Sequence, residues 1–250
     1  MFIRLASLFN FKIIRRTKTM AEIKVPPAPQ LVTDAWMLMM GFKSDPGAIR
    51  SFLPKRLEPH PNNMVVINLY TVPDPSQTSG FGAYTLTYIT VQIKDHDSYI
   101  MGSDIGEPGR FWVGYFNSSE VVRDFTRSVG IPAEPGATTL TKRRGKLKAV
   151  LEVGGQVFVE ATADVGDKLQ VAVGGHLNYF TQGRLQGDSS EATQIIKFPI
   201  PFVSRPVRTE NATITFKMPE NHPLYSLKPM GIEWASYVKG SFVYPQYEII

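Results

Sequence analysis

Cysteine is absent from the 250 residues, so the chain has neither a disulfide framework nor a thiolate metal site, and neither redox compartment is favoured. Long apolar runs are missing as well. None approaches the ~18 residues needed to span a bilayer, so no stable membrane insertion is expected. Histidine is scarce: His60, His96, His176 and His222 are scattered, and none makes a paired H-x-x-x-H spacing. No metal site built on histidine is expected. There is no G-x-S-x-G elbow, which argues against an α/β-hydrolase. Ser79-Gly80-Phe81-Gly82 lacks the strand-then-helix context of a dinucleotide loop and reads as a turn. With no phosphate-cradling loop, no nucleotide and no cofactor are implied.

Excess charge is also missing once its source is located. The formal net charge is +5. Arg4, Lys12, Arg15, Arg16 and Lys18 lie in the first twenty residues, which contain no acid; the remainder holds 22 basic and 22 acidic residues. A neutral body predicts no nucleic-acid partner. Three readings of the tail stay open: an organelle presequence, a weak amphipathic membrane contact, or an upstream stretch before a working start at Met20. The last is adopted, with a cytoplasmic location. Arg4 and Asn10 interrupt the apolar run, against a secretory signal.

What is present is β-rich. Hydrophobic residues make up 43% of the chain, enough for a sizeable core. Residues 1–30 read as a tail and Pro-rich linker, and 31–250 as one domain. Strands are expected at 35–42, 64–72, 84–93, 110–116, 145–153, 156–165, 169–173, 176–180, 208–216 and 232–244. Gly154-Gly155 supplies the tight turn of the clearest hairpin. Short helices are expected at 47–52, started by Asp45-Pro46, and at 119–128, capped by Asn117 or Ser118. The basic run Lys142–Lys148 reads as solvated strand residues that block edge pairing. No repeat or internal linker interrupts the pattern. The expected fold class is mainly β: a closed or half-closed antiparallel barrel able to hold one small molecule.

Four segments carry a resemblance: Gly41-Phe42-Lys43-Ser44-Asp45 with the helix after it, Ser79-Gly80-Phe81-Gly82-Ala83-Tyr84-Thr85, the 119–128 helix leading to Gly130-Ile131-Pro132-Ala133-Glu134-Pro135-Gly136, and the Gly155 hairpin ending Val159-Glu160-Ala161-Thr162-Ala163. Their order resembles the acetoacetate decarboxylase family across about residues 35–247. That resemblance implies an internal pocket and a lysine of depressed pKa, which attacks a substrate ketone as the free amine. The family writes this as two lysines after a proline. Here Pro132 is kept, but Ala133 and Glu134 follow it. The family's two acids fall at Asn68 and Leu86.

The resemblance therefore implies a retained barrel with different pocket chemistry. The expected partner is a small molecule; homo-oligomer formation stays open. The leading expectation is an enzyme of secondary metabolism, a cyclase (including a pericyclic one), isomerase or dehydratase, acting on a bulky apolar metabolite without a covalent intermediate. Glu134, Asn68 and Tyr84 are the candidate catalytic residues. Tyr70, Leu86, Trp112, Ile131, Ala133 and Asn221 are the candidate substrate contacts. Two alternatives remain: a non-catalytic lipophilic carrier, and a decarboxylase or aldolase using a relocated lysine among Lys142, Lys146 and Lys148.

Overall fold

A computed structural model describes residues 27–104, 106–185 and 193–250. The basic tail lies outside the described residues. In chain order the elements are β1 (Gln30–Lys43), α1 (Pro46–Phe52), β2 (Met64–Val72), β3 (Tyr84–Ile100), β4 (Glu107–Asn117), α2 (Glu120–Ser128), β5 (Ala133–Pro135), β6 (Ala137–Arg143), β7 (Lys146–Val153), β8 (Gln156–Leu169), β9 (Val173–Gly183), β10 (Gln194–Phe216), β11 (Gly231–Tyr244) and β12 (Glu248–Ile249), with short 3-10 turns at Pro75–Gln77 and Pro223–Leu227. Strands β1, β2, β3, β4, β9, β10 and β11 pair in that order and close into a seven-stranded barrel. All its pairings are antiparallel except β4 with β9, where Arg110 lies opposite Tyr179.

The long strand β10 belongs to two sheets. Its first half pairs with β9 and β11, and its second half leaves the barrel to pair with β8. Strands β6, β7 and β8 extend from there as an outer sheet. That sheet lies over the outer face of β1–β3, so these three strands are covered on both sides. Alternation then divides them. Leu38, Met40, Phe42, Val65, Ile67, Leu69, Ile89 and Val91 face the outer sheet, where they pack with Leu147, Leu151, Val159 and Ala161. Met37, Tyr70, Tyr84, Leu86 and Tyr88 take the other parity and pack inside the barrel with Trp112, Tyr115, Tyr179 and Tyr244.

Local chemistry explains the short elements. The Asp45 carboxylate accepts from Ala48 N at 2.7 Å, and Pro46 occupies the first turn of α1. The cap of α2 is Ser119, not Asn117 or Ser118; Asn117 Oδ1 instead accepts from Ser119 N at 2.7 Å and fixes the cap residue. Residues 170–172 are exposed and outside any strand, against the expected strand at 169–173. The basic run is the tip of the β6–β7 hairpin, and Lys142, Lys146 and Lys148 pair there with Asp167, Asp164 and Glu160.

Helix α2 is docked onto the barrel by a contact between backbones. A Cβ on Gly183 would sit 2.7 Å from both Cα and O of Gly130, while Thr181 donates to Gly130 O at 2.9 Å. Gly183→Ala is therefore expected to lower stability by about 1–3 kcal/mol, because backbone rather than a flexible side chain has to give. Gly231→Ala, whose Cβ meets nothing within 4 Å, is the control. Urea denaturation of both variants checks this; equal midpoints would contradict the docking.

Candidate functional site

The barrel interior is filled at one end and open at the other. At the filled end, Phe81 from the loop before β3 and Phe125 from α2 stack against Tyr84 and Tyr244. At the open end, where β3 finishes and β4 and β9 begin, a cavity of about 450 Å³ enters the barrel. Its walls include Met37, Met39, Leu177, Ile200, Phe202, Trp234, Val238 and Phe242, with exposed Val173 and Val203 at the rim. Such a wall suits an apolar ligand.

The polar groups at the wall are four phenols, together with Asn68, Glu107, Arg110, Ser204, Ser236 and Ser241. Tyr70 Oη is the hub of a cluster, 3.3 Å from Tyr84 Oη and 3.2 Å from Tyr244 Oη, and Tyr244 Oη is 3.0 Å from Tyr115 Oη. Tyr70 and Tyr244 reach the cavity wall. A second pair, Tyr88 and Tyr179, joins hydroxyls at 2.9 Å and also lines the cavity. Burial pushes the phenols of Tyr70, Tyr84, Tyr88 and Tyr115 well above their ordinary value and raises Tyr244, with neighbouring phenols adding to the shift in the first four. These groups are neutral donors, not bases.

One cation stands among them. Arg110 is 4% exposed, and its Nη2 donates to Glu107 Oε1 at 2.9 Å. Glu107 Oε1 also accepts from Gln92 Nε2 at 3.0 Å. Among the described residues Nε and Nη1 of Arg110 have no hydrogen-bond partner, nor has the buried Trp112 Nε1. Trp112 stacks on Tyr179 with ring centroids 4.9 Å apart. Among the described lining residues Glu107 is the sole carboxylate, and none is a lysine or a histidine. Among the described residues no group of three or more His, Cys, Asp or Glu is placed to hold a metal ion.

The expected site residues separate against this geometry. Asn68, Tyr70 and Trp112 line the cavity. Asn68 is buried and donates to Met37 Sδ at 3.1 Å, and its Oδ1 has no partner among the described residues. Tyr84, Leu86, Ile131 and Ala133 belong to the packed interior but not to the cavity wall; Tyr84 is one hydrogen bond behind Tyr70. Glu134 is corrected. It follows Ala133 on β5, and alternation turns its side chain out to solvent. Asn221 is corrected too: it is exposed in a surface groove with His222 and Tyr225, beside the turn that follows β10. The lysines proposed for relocation sit on the outer sheet, paired with acids. Arg110, Glu107, Tyr88, Tyr115, Tyr179 and Tyr244 were not singled out from sequence.

The model of the acetoacetate decarboxylase (ADC) family matches residues 14–249. The chain belongs to the acetoacetate decarboxylase family. Solved structures agree on the fold. An acetoacetate decarboxylase shares 17% identity with a TM-score of 0.74, over 90% of this chain and 91% of that one. The acetoacetate decarboxylase of Legionella pneumophila shares 15% identity with a TM-score of 0.71, over 99% and 98%. The enduracididine biosynthesis enzyme MppR, solved with HEPES buffer bound, shares 14% identity with a TM-score of 0.67, over 90% and 88%. No curated protein matches this family member in sequence.

The phenol cluster sets the response of this family member to alkali. Unfolded tyrosines ionise near their ordinary value of 10.0, whereas the buried ones are held protonated above it. Below about pH 9 both states keep their protons and these groups do not bias folding. Above pH ~10 the unfolded chain binds fewer protons than the folded one, so stability falls as pH rises. Denaturant titrations between pH 8 and 11 are expected to show this decline. In Tyr70→Phe, which removes the hub hydroxyl, the decline is expected to be shallower. A flat profile in the wild type would contradict the assignment.

Proposed function

We propose that this chain is an enzyme that binds a bulky, mostly apolar small molecule in the barrel cavity and converts it without a covalent lysine intermediate. Cyclisation, including pericyclic closure, is the leading reaction class; isomerisation or dehydration comes second. The observation that carries the reading is the cavity wall: about 450 Å³ enclosed by apolar and aromatic side chains, with no lysine among its described residues. An imine needs an amine at the substrate. The described lysines nearest to the family's motif stand on the outer sheet as ammonium partners of acids.

Shape supports cyclisation. Holding a flexible chain in one reactive conformation converts lost entropy into rate. Tyr70 and Tyr244 supply neutral O–H donors at the wall, suited to polarising a carbonyl as electrons shift toward its oxygen. Isomerisation and dehydration also need a base. Glu107 is the sole carboxylate among the described lining residues, and it is already held by Arg110 and Gln92. The alternative to an enzyme is a carrier, since a barrel without a free base can still hold a lipophilic ligand. A fold shared with MppR, whose name places it in a biosynthetic route, is compatible with a metabolite-building role.

Two experiments test this. Borohydride reduction in the presence of acetoacetate or pyruvate, read by intact mass, is expected to give no adduct; an adduct on any lysine overturns the proposal. Incubation with linear polyene carbonyl compounds is expected to yield cyclised product over many turnovers, and recovery of every compound unchanged favours the carrier. Where turnover is seen, Tyr70→Phe and Tyr244→Phe are expected to lower kcat by about tenfold to a hundredfold with little change in KM.

A further inference from the structure

Arg110 is a charged residue sealed into an apolar wall with most of its hydrogen-bonding capacity unused. A guanidinium carries five N–H groups. Glu107 takes one, through Nη2 at 2.9 Å, while the N–H of Nε and both of Nη1 have no partner among the described residues. Leaving buried donors without partners is destabilising, and more so when the group is charged. Folding alone gives no return for placing them there. Three more donors share this part of the cavity: Trp112 Nε1, also buried and unpartnered, and the Tyr88–Tyr179 pair, whose two protons serve one mutual contact. The register sets them side by side, since Arg110 lies opposite Tyr179 on β9 and opposite Gln92 on β3.

The cavity therefore has a donor-rich pole inside an otherwise apolar room. A group that only accepts hydrogen bonds fits it, and a negative one fits best beside a guanidinium. Glu107 does not fill that role completely. It is about one-third exposed at the rim, shares one oxygen between Arg110 and Gln92, and leaves Nε and Nη1 free. The planar fork of Arg110 matches a planar oxyanion.

We propose that Arg110 anchors a carboxylate carried by the apolar ligand, with Tyr88, Tyr179 and Trp112 as auxiliary donors, so that the substrate class is an amphipathic organic acid. The acid group sits at the Arg110 pole and the apolar chain lies along Met37, Ile200, Val238 and Phe242 toward Tyr70 and Tyr244. This inference rests on the cavity reading above and adds the polarity and orientation of the ligand.

Isothermal titration with decanoic acid, methyl decanoate and 1-decanol at pH 7.5, below their aggregation limits, tests it. Decanoate is expected to bind about tenfold or more tightly than the ester and the alcohol. In Arg110→Met that preference is expected to fall to near unity while ester affinity stays within about threefold. The double variant Glu107→Gln/Arg110→Met removes both charges, so that no carboxylate is left unpaired, and is expected to lose the preference in the same way if the single variant fails to fold. Equal affinity for acid and ester in the wild type, or a preference that survives both substitutions, overturns the anchor alone. Failure of all three compounds to bind overturns the anchor and the cavity reading together.

Discussion

The structure depends on strands β1–β3 being covered on both faces. A sheet with one wet face alternates apolar and polar residues, whereas these strands alternate between two kinds of apolar residue. Aliphatic side chains such as Leu38, Met40, Ile67, Leu69 and Val91 meet the outer sheet, and Tyr70, Tyr84 and Tyr88 enter the barrel. A slip of one residue would drive phenols into the aliphatic layer and empty the barrel of its hydroxyls, so the register is strongly specified. The outer sheet is thus more than an appendage. It buries the side of the barrel wall opposite the cavity and leaves the inner face free to carry polar groups at modest density.

The same alternation explains which parts of the site were legible in the sequence. Strand β2 was bounded correctly at 64–72 because β-branched residues dominate it. The cap of α1 and the Gly154-Gly155 hairpin were legible because each rests on a few adjacent residues. Strand β10 was recognised only over its last third. Pro199, Pro201 and Pro206 lie in its earlier part, and proline removes a ladder donor, so the sequence there reads as loop. Glu134 looked chemically central through its neighbour Ala133, yet adjacent residues of a strand point to opposite faces, and β5 was not foreseen as a strand. Arg110 passed unnoticed for the opposite reason. It opens an apolar run, Phe111-Trp112-Val113, where a lone charge reads as a strand end meeting solvent. The available signal was that Arg110 shares parity with Trp112, which was already expected at the pocket.

The surroundings of Ala133 bear on the proposed pocket chemistry. The resemblance sets it against the reactive lysine. In the barrel it is 3% exposed, opposite Tyr115 on β4, within the packed interior and away from the cavity wall. Its strand partner Tyr115 belongs to the phenol cluster, whose members are hydrogen-bonded to one another and held neutral by burial. Restoring the lysine alone would therefore introduce a buried charge with no acid beside it, since Asn68 and Leu86 stand where the resemblance puts the family's carboxylates.

Electrostatics then narrows the chemistry that this cavity favours. Proton abstraction needs a basic group that can approach carbon, and the single described carboxylate at the wall is held at the rim by Arg110 and Gln92. Imine formation needs an amine, and none lines the described wall. What the wall offers in quantity is neutral O–H and N–H donors facing an apolar volume, where a hydrogen bond gains strength from the low dielectric. Donors of this kind stabilise charge that builds on a carbonyl or carboxylate oxygen, and the enclosed volume restricts how a flexible chain folds. Reactions that reorganise electrons within one bound molecule, with no proton removed by the protein, draw on both properties.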